Sequence, residues 1–144
     1  MRRTIFGRTL LLAGLAASPA LAADAPGPAL REGLWRFERT FEYADGRAPG
    51  ESVRSEQCVD PAVLADEQLA MFRKMGCAAE RSRAGVAEWR IRVTCDRPGL
   101  PKGTSTSALT VSGPDAFEAR IVNEGALALP IVRERLVAKR LGDC

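Results

Sequence analysis

Apolar and polar residues alternate with period two over most of this chain, and one stretch switches to a helical period. In 34–43, Trp35, Phe37, Phe41 and Tyr43 share one parity, while Arg36, Glu38, Thr40 and Glu42 share the other. That pattern predicts a half-buried strand. Arg39 interrupts the apolar parity, so this face is expected to be partly open. Asp45-Gly46 and Pro49-Gly50 mark a turn, and 52–59 returns as a second strand. Asp60-Pro61 then supplies an N-cap acceptor and a first-turn proline. Over 61–75, Leu64, Ala65, Gln68, Leu69, Met71, Phe72 and Met75 gather on one side, with Asp66, Arg73 and Lys74 opposite and Gly76 as a stop signal.

Strand signals resume after Cys77. A short charged segment at 78–82 precedes a turn at Ala84-Gly85. Over 89–95, Trp89, Ile91, Val93 and Cys95 alternate with Arg90, Arg92 and Thr94. The segments 104–111 and 116–122 form a hairpin around Ser112-Gly113-Pro114-Asp115, and 131–141 is a last strand. Seven or so short strands with tight links force antiparallel neighbours. The expectation is a single mainly β domain: a strongly curved antiparallel sheet or partly open barrel, with one short helix between strands 2 and 3 against one mouth.

The first 22 residues carry a different signal. Arg2, Arg3 and Arg8, an apolar run over 9–17 and the small-residue site Ala20-Leu21-Ala22 read as a secretory leader cut between Ala22 and Ala23. Arg2-Arg3-Thr4-Ile5-Phe6 loosely matches a twin-arginine signal, although disulfides made after crossing fit the general route better. Three domain segments follow: a signal peptide at 1–22, a flexible lead-in at 23–32 and a β domain at 33–144. The leader holds three of the 21 basic residues and no acid, leaving 18 basic against 18 acidic residues in the mature part. A mature chain without net charge or a basic run has no field to attract nucleic acid or anionic lipid. No second apolar run reaches the ~18 residues of a membrane helix, so no stable membrane insertion is expected after cleavage.

Cys58, Cys77, Cys95 and Cys144 all lie beyond the leader. In an oxidising compartment such a set reads as two structural disulfides. Their wide spacing lacks the close pairs of a zinc chelate or a redox Cys-x-x-Cys. Three connectivities exist, and chain entropy separates Cys58–Cys77 with Cys95–Cys144 from the interleaved Cys58–Cys95 with Cys77–Cys144 by only about 1 kcal/mol. The sequential pairing, Cys58–Cys77 with Cys95–Cys144, is preferred on position. It requires the helix to break near Asp66, because an unbroken helix of about 22 Å keeps Cys58 and Cys77 apart.

Histidine is absent, which excludes Ser-His-Asp and Cys-His nucleophiles, imidazole metal ligands and a histidine base. No cofactor motif is present. Glu38, Glu42, Glu118 and Glu134 are the candidate acids for carboxylate-only hydrolysis, which needs two facing carboxyls; nearly all fall at polar strand positions, where a solvated face is expected. Trp35, Phe37, Phe41, Trp89 and Ile91 either fill an ordinary core or, in a curled sheet, line a small apolar pocket.

Gly33-Leu34-Trp35, Gln57-Cys58-Val59-Asp60-Pro61, Gly76-Cys77, 89–95 and the ending Arg140-Leu141-Gly142-Asp143-Cys144 together resemble a group of small exported bacterial proteins, domain-of-unknown-function family 3617. The resemblance spans nearly all of the mature chain. It implies a periplasmic or secreted location in a Gram-negative bacterium and a mostly β domain, and it brings no activity and no catalytic residues. The resulting expectation is a non-enzymatic envelope module that binds a small apolar ligand or an envelope protein. A carboxylate-based hydrolase and a structural or inhibitor-like protein are the alternatives.

Overall fold

A computed structural model describes residues 24–48, 52–99 and 102–144. The leader and its cleavage site lie outside the described residues. Seven strands, β1 (Gly33–Tyr43), β2 (Val53–Val59), β3 (Ala78–Arg83), β4 (Glu88–Cys95), β5 (Gly103–Val111), β6 (Ala116–Gly125) and β7 (Ile131–Gly142), form one antiparallel sheet. One α-helix, α1 (Pro61–Lys74), lies between β2 and β3, and a single 3-10 turn (Ala126–Ala128) precedes β7. Mainly β architecture, strand number and helix position all match the sequence pattern.

The strand order β2-β1-β7-β6-β5-β4-β3 departs from a plain meander. Strands β3 to β7 follow one another as neighbours, but β7 then pairs along the length of β1, from Leu34↔Gly142 to Tyr43↔Ile131. Strand β2 and β3, consecutive in sequence, therefore become the two opposite edges. The sheet stays open, and α1 is the link that carries the chain from one edge to the other.

Register sorts the side chains into two faces. Phe37 and Phe117 stand on either side of Ala138, Leu109 beside Ala119 and Trp89, and Ile91 beside Ser107, with Trp35 on the same parity as Phe37. This is the face α1 covers. The other face is a charged lattice in which Arg36 pairs with Glu56, Arg54 with Glu38, Arg133 with Glu42, and Arg120 and Arg135 with Glu118. Such exposed pairs contribute little each, but they keep this face solvated.

The apolar face does not hold one core. Leu69, Cys77, Ala79, Val93 and Cys95 form one buried cluster, joined by Phe72, Ile91 and Leu127. Trp35, Phe37 and Ala138 form a second, with Leu30, Val59, Phe117 and Leu136 packed against it. A domain of this size ordinarily has one contiguous core; here it is divided, with Leu69 and Phe72 of α1 belonging to the first cluster.

Both ends of α1 form as their residues dictate. The Asp60 carboxylate accepts from the Ala62 and Val63 amides at 2.9 and 3.3 Å, with Pro61 in the first turn. At the other end Gly76 takes φ +86°, its amide donates to Arg73 O, and the Cys77 amide donates to Phe72 O. These are the two bonds of a Schellman motif, which needs a residue tolerant of positive φ at that point.

The helix runs unbroken from Pro61 to Lys74, so the break expected near Asp66 does not exist. At 14 residues it is about 21 Å long, which rules out the Cys58–Cys77 bond and with it the expected pairing. The bonds are Cys58–Cys144, with Cα atoms 5.7 Å apart, and Cys77–Cys95, with Cα atoms 4.4 Å apart. Asp66, instead of starting a second helix, points its carboxylate at Arg81.

Candidate functional site

Between α1 and the sheet lies a hollow with two lobes. The smaller, about 150 Å3, is walled by Leu30, Phe37, Leu64, Leu109, Phe117 and Ala119. The larger, about 280 Å3, reaches Leu69, Met71, Phe72, Val93, Ser105 and Glu134. Arg39, Ala65, Gln68, Ile91, Ser107, Ile121 and Leu136 line both, so the lobes are continuous. Together they fall near the lower end of the ~300–1,000 Å3 typical of small-molecule sites. The hollow separates the two apolar clusters and draws its walls from both.

One ion pair interrupts this lining. Arg39 Nη1 donates to Glu134 Oε1 at 2.8 Å. The two side chains lie on adjacent strands on the inner face. Arg39 is 42 % exposed and Glu134 only 12 %, so the guanidinium sits at an opening with the carboxylate behind it.

The segment before β1 closes one side of the hollow. It is held to the sheet, where the sequence predicted a flexible lead-in. Trp89 Nε1 donates to Pro26 O at 3.0 Å and Trp35 Nε1 to Arg31 O at 2.9 Å. Ala25 exchanges bonds with Arg81: its amide donates to Arg81 O, and Arg81 Nε donates to Ala25 O at 2.8 Å. The Arg81 amide also donates to Asp24, and Arg73 pairs with the same carboxylate, holding that carboxyl below the usual range. Gly27 passes so close that a Cβ there would stand 3.2 Å from the Arg81 guanidinium. Pro28 and Leu30 thereby become part of the smaller lobe's wall.

Of the five aromatic and aliphatic residues predicted to line a pocket, Phe37 and Ile91 do so. Trp35 has no exposed surface and packs against Phe37 and Phe117 with ring centroids 6.4 and 5.7 Å away. Trp89 is buried beneath Pro26 and faces Arg83, whose guanidinium carbon is 5.1 Å from the ring centre. Phe41 stands beyond the hollow beside Tyr43. Leu109, Phe117, Ile121 and Leu136 were not singled out by sequence, although alternation places each on its strand's inward parity. Arg39 gave the signal most directly, as a charge on an otherwise apolar parity.

The four candidate acids are dispersed. Glu38, Glu42 and Glu118 lie on the charged outer face, each beside an arginine. A hydrogen bond from Ser52 and charge from Arg54 lower Glu38, and the Arg135 guanidinium lowers Glu118 to about 2. Glu134 alone of the four faces inward, and its neighbour is Arg39. Among the described residues no three His, Cys, Asp or Glu side chains gather as a metal site, and no helix is long and apolar enough to cross a membrane.

A family model described as a protein of unknown function, DUF3617, matches residues 30–144. No curated protein and no solved structure matches the chain.

Proposed function

The chain belongs to the DUF3617 family, a membership that supplies no activity, and from the divided core we propose that it is a non-enzymatic envelope module holding a small apolar ligand between α1 and the sheet. The observation that carries this reading is the gap between the two apolar clusters. They end on a common two-lobed hollow instead of merging. Protein interiors normally close to crystal-like density, so apolar walls left apart favour an occupant that completes them. Each Å2 of apolar surface such an occupant buries contributes about 25 cal/mol.

The disulfides favour the same reading. Cys58 precedes α1 and Cys77 follows it, and each is bonded to a different strand end. The roof is thus clamped at both ends, which lowers the ordering cost of binding. Two disulfides in so small a domain also fit a periplasmic or secreted location.

Native mass spectrometry of protein purified from the periplasm tests the proposal. The expected result is a co-purified small molecule that is released on unfolding and is absent from Ser107→Phe, whose ring would fill the junction of the lobes. A clean apo mass, with no thermal shift across a panel of apolar compounds, would leave an interaction or structural role as the better account.

A further inference from the structure

The chemistry of the opening narrows the ligand class. Resting on the ligand-binding reading above, we propose that the ligand is an amphiphile with a carboxylate head and an apolar tail, and that Arg39 receives the head. The tail lies against Phe37, Leu109, Phe117 and Leu136. Arg39 and Glu134 are the charged side chains lining the two lobes.

The arginine–glutamate pairs Arg36–Glu56, Arg54–Glu38, Arg133–Glu42 and Arg135–Glu118 sit on the outer face, in contact with water. This one stands against an apolar hollow, where desolvation opposes it. Its geometry is also incomplete. Glu134 takes one terminal N–H of the guanidinium, and among the described residues Nε and Nη2 of Arg39 donate to nothing. A guanidinium carries five donors in a rigid fork, and the Nε/Nη2 edge matches the two oxygens of a carboxylate. A carboxylate can take that edge while Glu134 keeps Nη1. An alcohol would make one neutral bond there, and an ammonium head would face the guanidinium's positive charge. Glu134, nearly buried behind Arg39, orients the fork and at the same time repels the arriving anion. Arg39 is therefore the specificity residue, and Glu134 sets how tightly the head is held.

The test compares dodecanoate, dodecanol and dodecylamine by titration calorimetry at neutral pH on the intact, oxidised protein. A charge-assisted bidentate contact should favour the acid over the alcohol by about tenfold, with the amine weakest. Glu134→Gln should raise dodecanoate affinity severalfold, because it removes the repulsion and leaves Arg39 in place. In Arg39→Gln/Glu134→Gln, which removes the pair without stranding a charge, the acid-over-alcohol ratio should fall to about one. If that double variant does not fold, Glu134→Gln decides: unchanged or weaker dodecanoate binding overturns the proposal. Equal binding of acid and alcohol by the native protein, or tightest binding of the amine, overturns the assignment of Arg39 but leaves the hollow as a binding site. Failure of all three to bind removes the binding reading itself.

Discussion

Cys58 and Cys144, 86 residues apart in sequence, bring their Cα atoms to within 5.7 Å of each other. The bond fastens the end of β7 to the edge strand β2, three residues before α1 begins. Cys77–Cys95 does the same at the other end of the helix, only 18 residues apart in sequence. The helix that roofs the hollow is thus tied to β7 at one end and to β4 at the other.

Non-reducing peptide mapping should recover these two pairs and no Cys58–Cys77 peptide. Closing the longer loop removes more entropy from the unfolded chain, worth about 4.5 kcal/mol against about 3 kcal/mol for the shorter one. Cys58→Ser/Cys144→Ser should therefore lower the urea midpoint more than Cys77→Ser/Cys95→Ser on chain entropy. The second pair is buried, however, so losing it also disturbs packing around Leu69 and Val93. Equal losses from the two variants would mean that packing offsets the entropic difference; a larger loss from the buried pair would mean that it outweighs it.

Local pattern explains what the sequence made legible and what it hid. Alternation in 34–43 placed β1 and its apolar side correctly, and Asp60-Pro61 and Gly76 placed both ends of α1. Those signals act over two to four residues. The pairing of β1 with β7 spans some hundred residues, and no local pattern encodes it. The cysteine error follows from this. Without knowing that β7 lies beside β1, nothing placed Cys144 next to Cys58. The pocket was half visible for a similar reason. Parity put Phe37 and Ile91 inward, but only the placement of α1 and of the 24–31 segment decides which inward residues are covered and which line a space.

The segment before β1 depends on Arg81, which is 8 % exposed and donates to Asp66 through Nη1 and to Ala25 O through Nε. Asp66 is itself largely in water, so Asp66→Asn should cost only about 1.5 kcal/mol, the low end for a hydrogen bond to a charged group. Arg81→Met removes the donor to Ala25 as well and should cost more, about 3 kcal/mol. In that variant the Trp89 indole proton, now bonded to Pro26, should exchange faster with solvent. Unchanged indole protection in Arg81→Met would mean that Arg81 does not hold the segment.

Trp35 is the largest fully buried side chain among the described residues. Its ring supports Phe37 and Phe117, which wall the smaller lobe. Trp35→Ala should destabilise by about 3–5 kcal/mol, and the resulting collapse should weaken ligand binding although Trp35 does not line the hollow. Phe41→Ala, outside both clusters, should cost much less. A thermal melt of the two variants checks the order, and comparable losses would contradict the placement of the core.

Acid titration gives a site-resolved check on the outer face. Arg135 donates to both oxygens of Glu118, through Nε at 2.9 Å and Nη2 at 3.0 Å. That contact lowers the Glu118 carboxyl from its ordinary 4.5 to about 2. Because the folded value is depressed, the pair's contribution is fully present above about 4.5 and is lost as pH falls through about 2. The stability involved is small, since water screens an exposed pair, and Asp24, Glu38 and Asp115 are lowered as well. The carboxyl-carbon NMR shift of Glu118 is therefore a better reporter than the global acid transition. It should titrate near 2 in the native protein and move back toward 4.5 in Arg135→Gln, with Arg120 as its remaining partner. A native midpoint at the ordinary value would mean that the bidentate contact is not populated in solution, and with it the β6–β7 register that sets Glu118 opposite Val137, between Arg135 and Lys139, would lose a supporting observation.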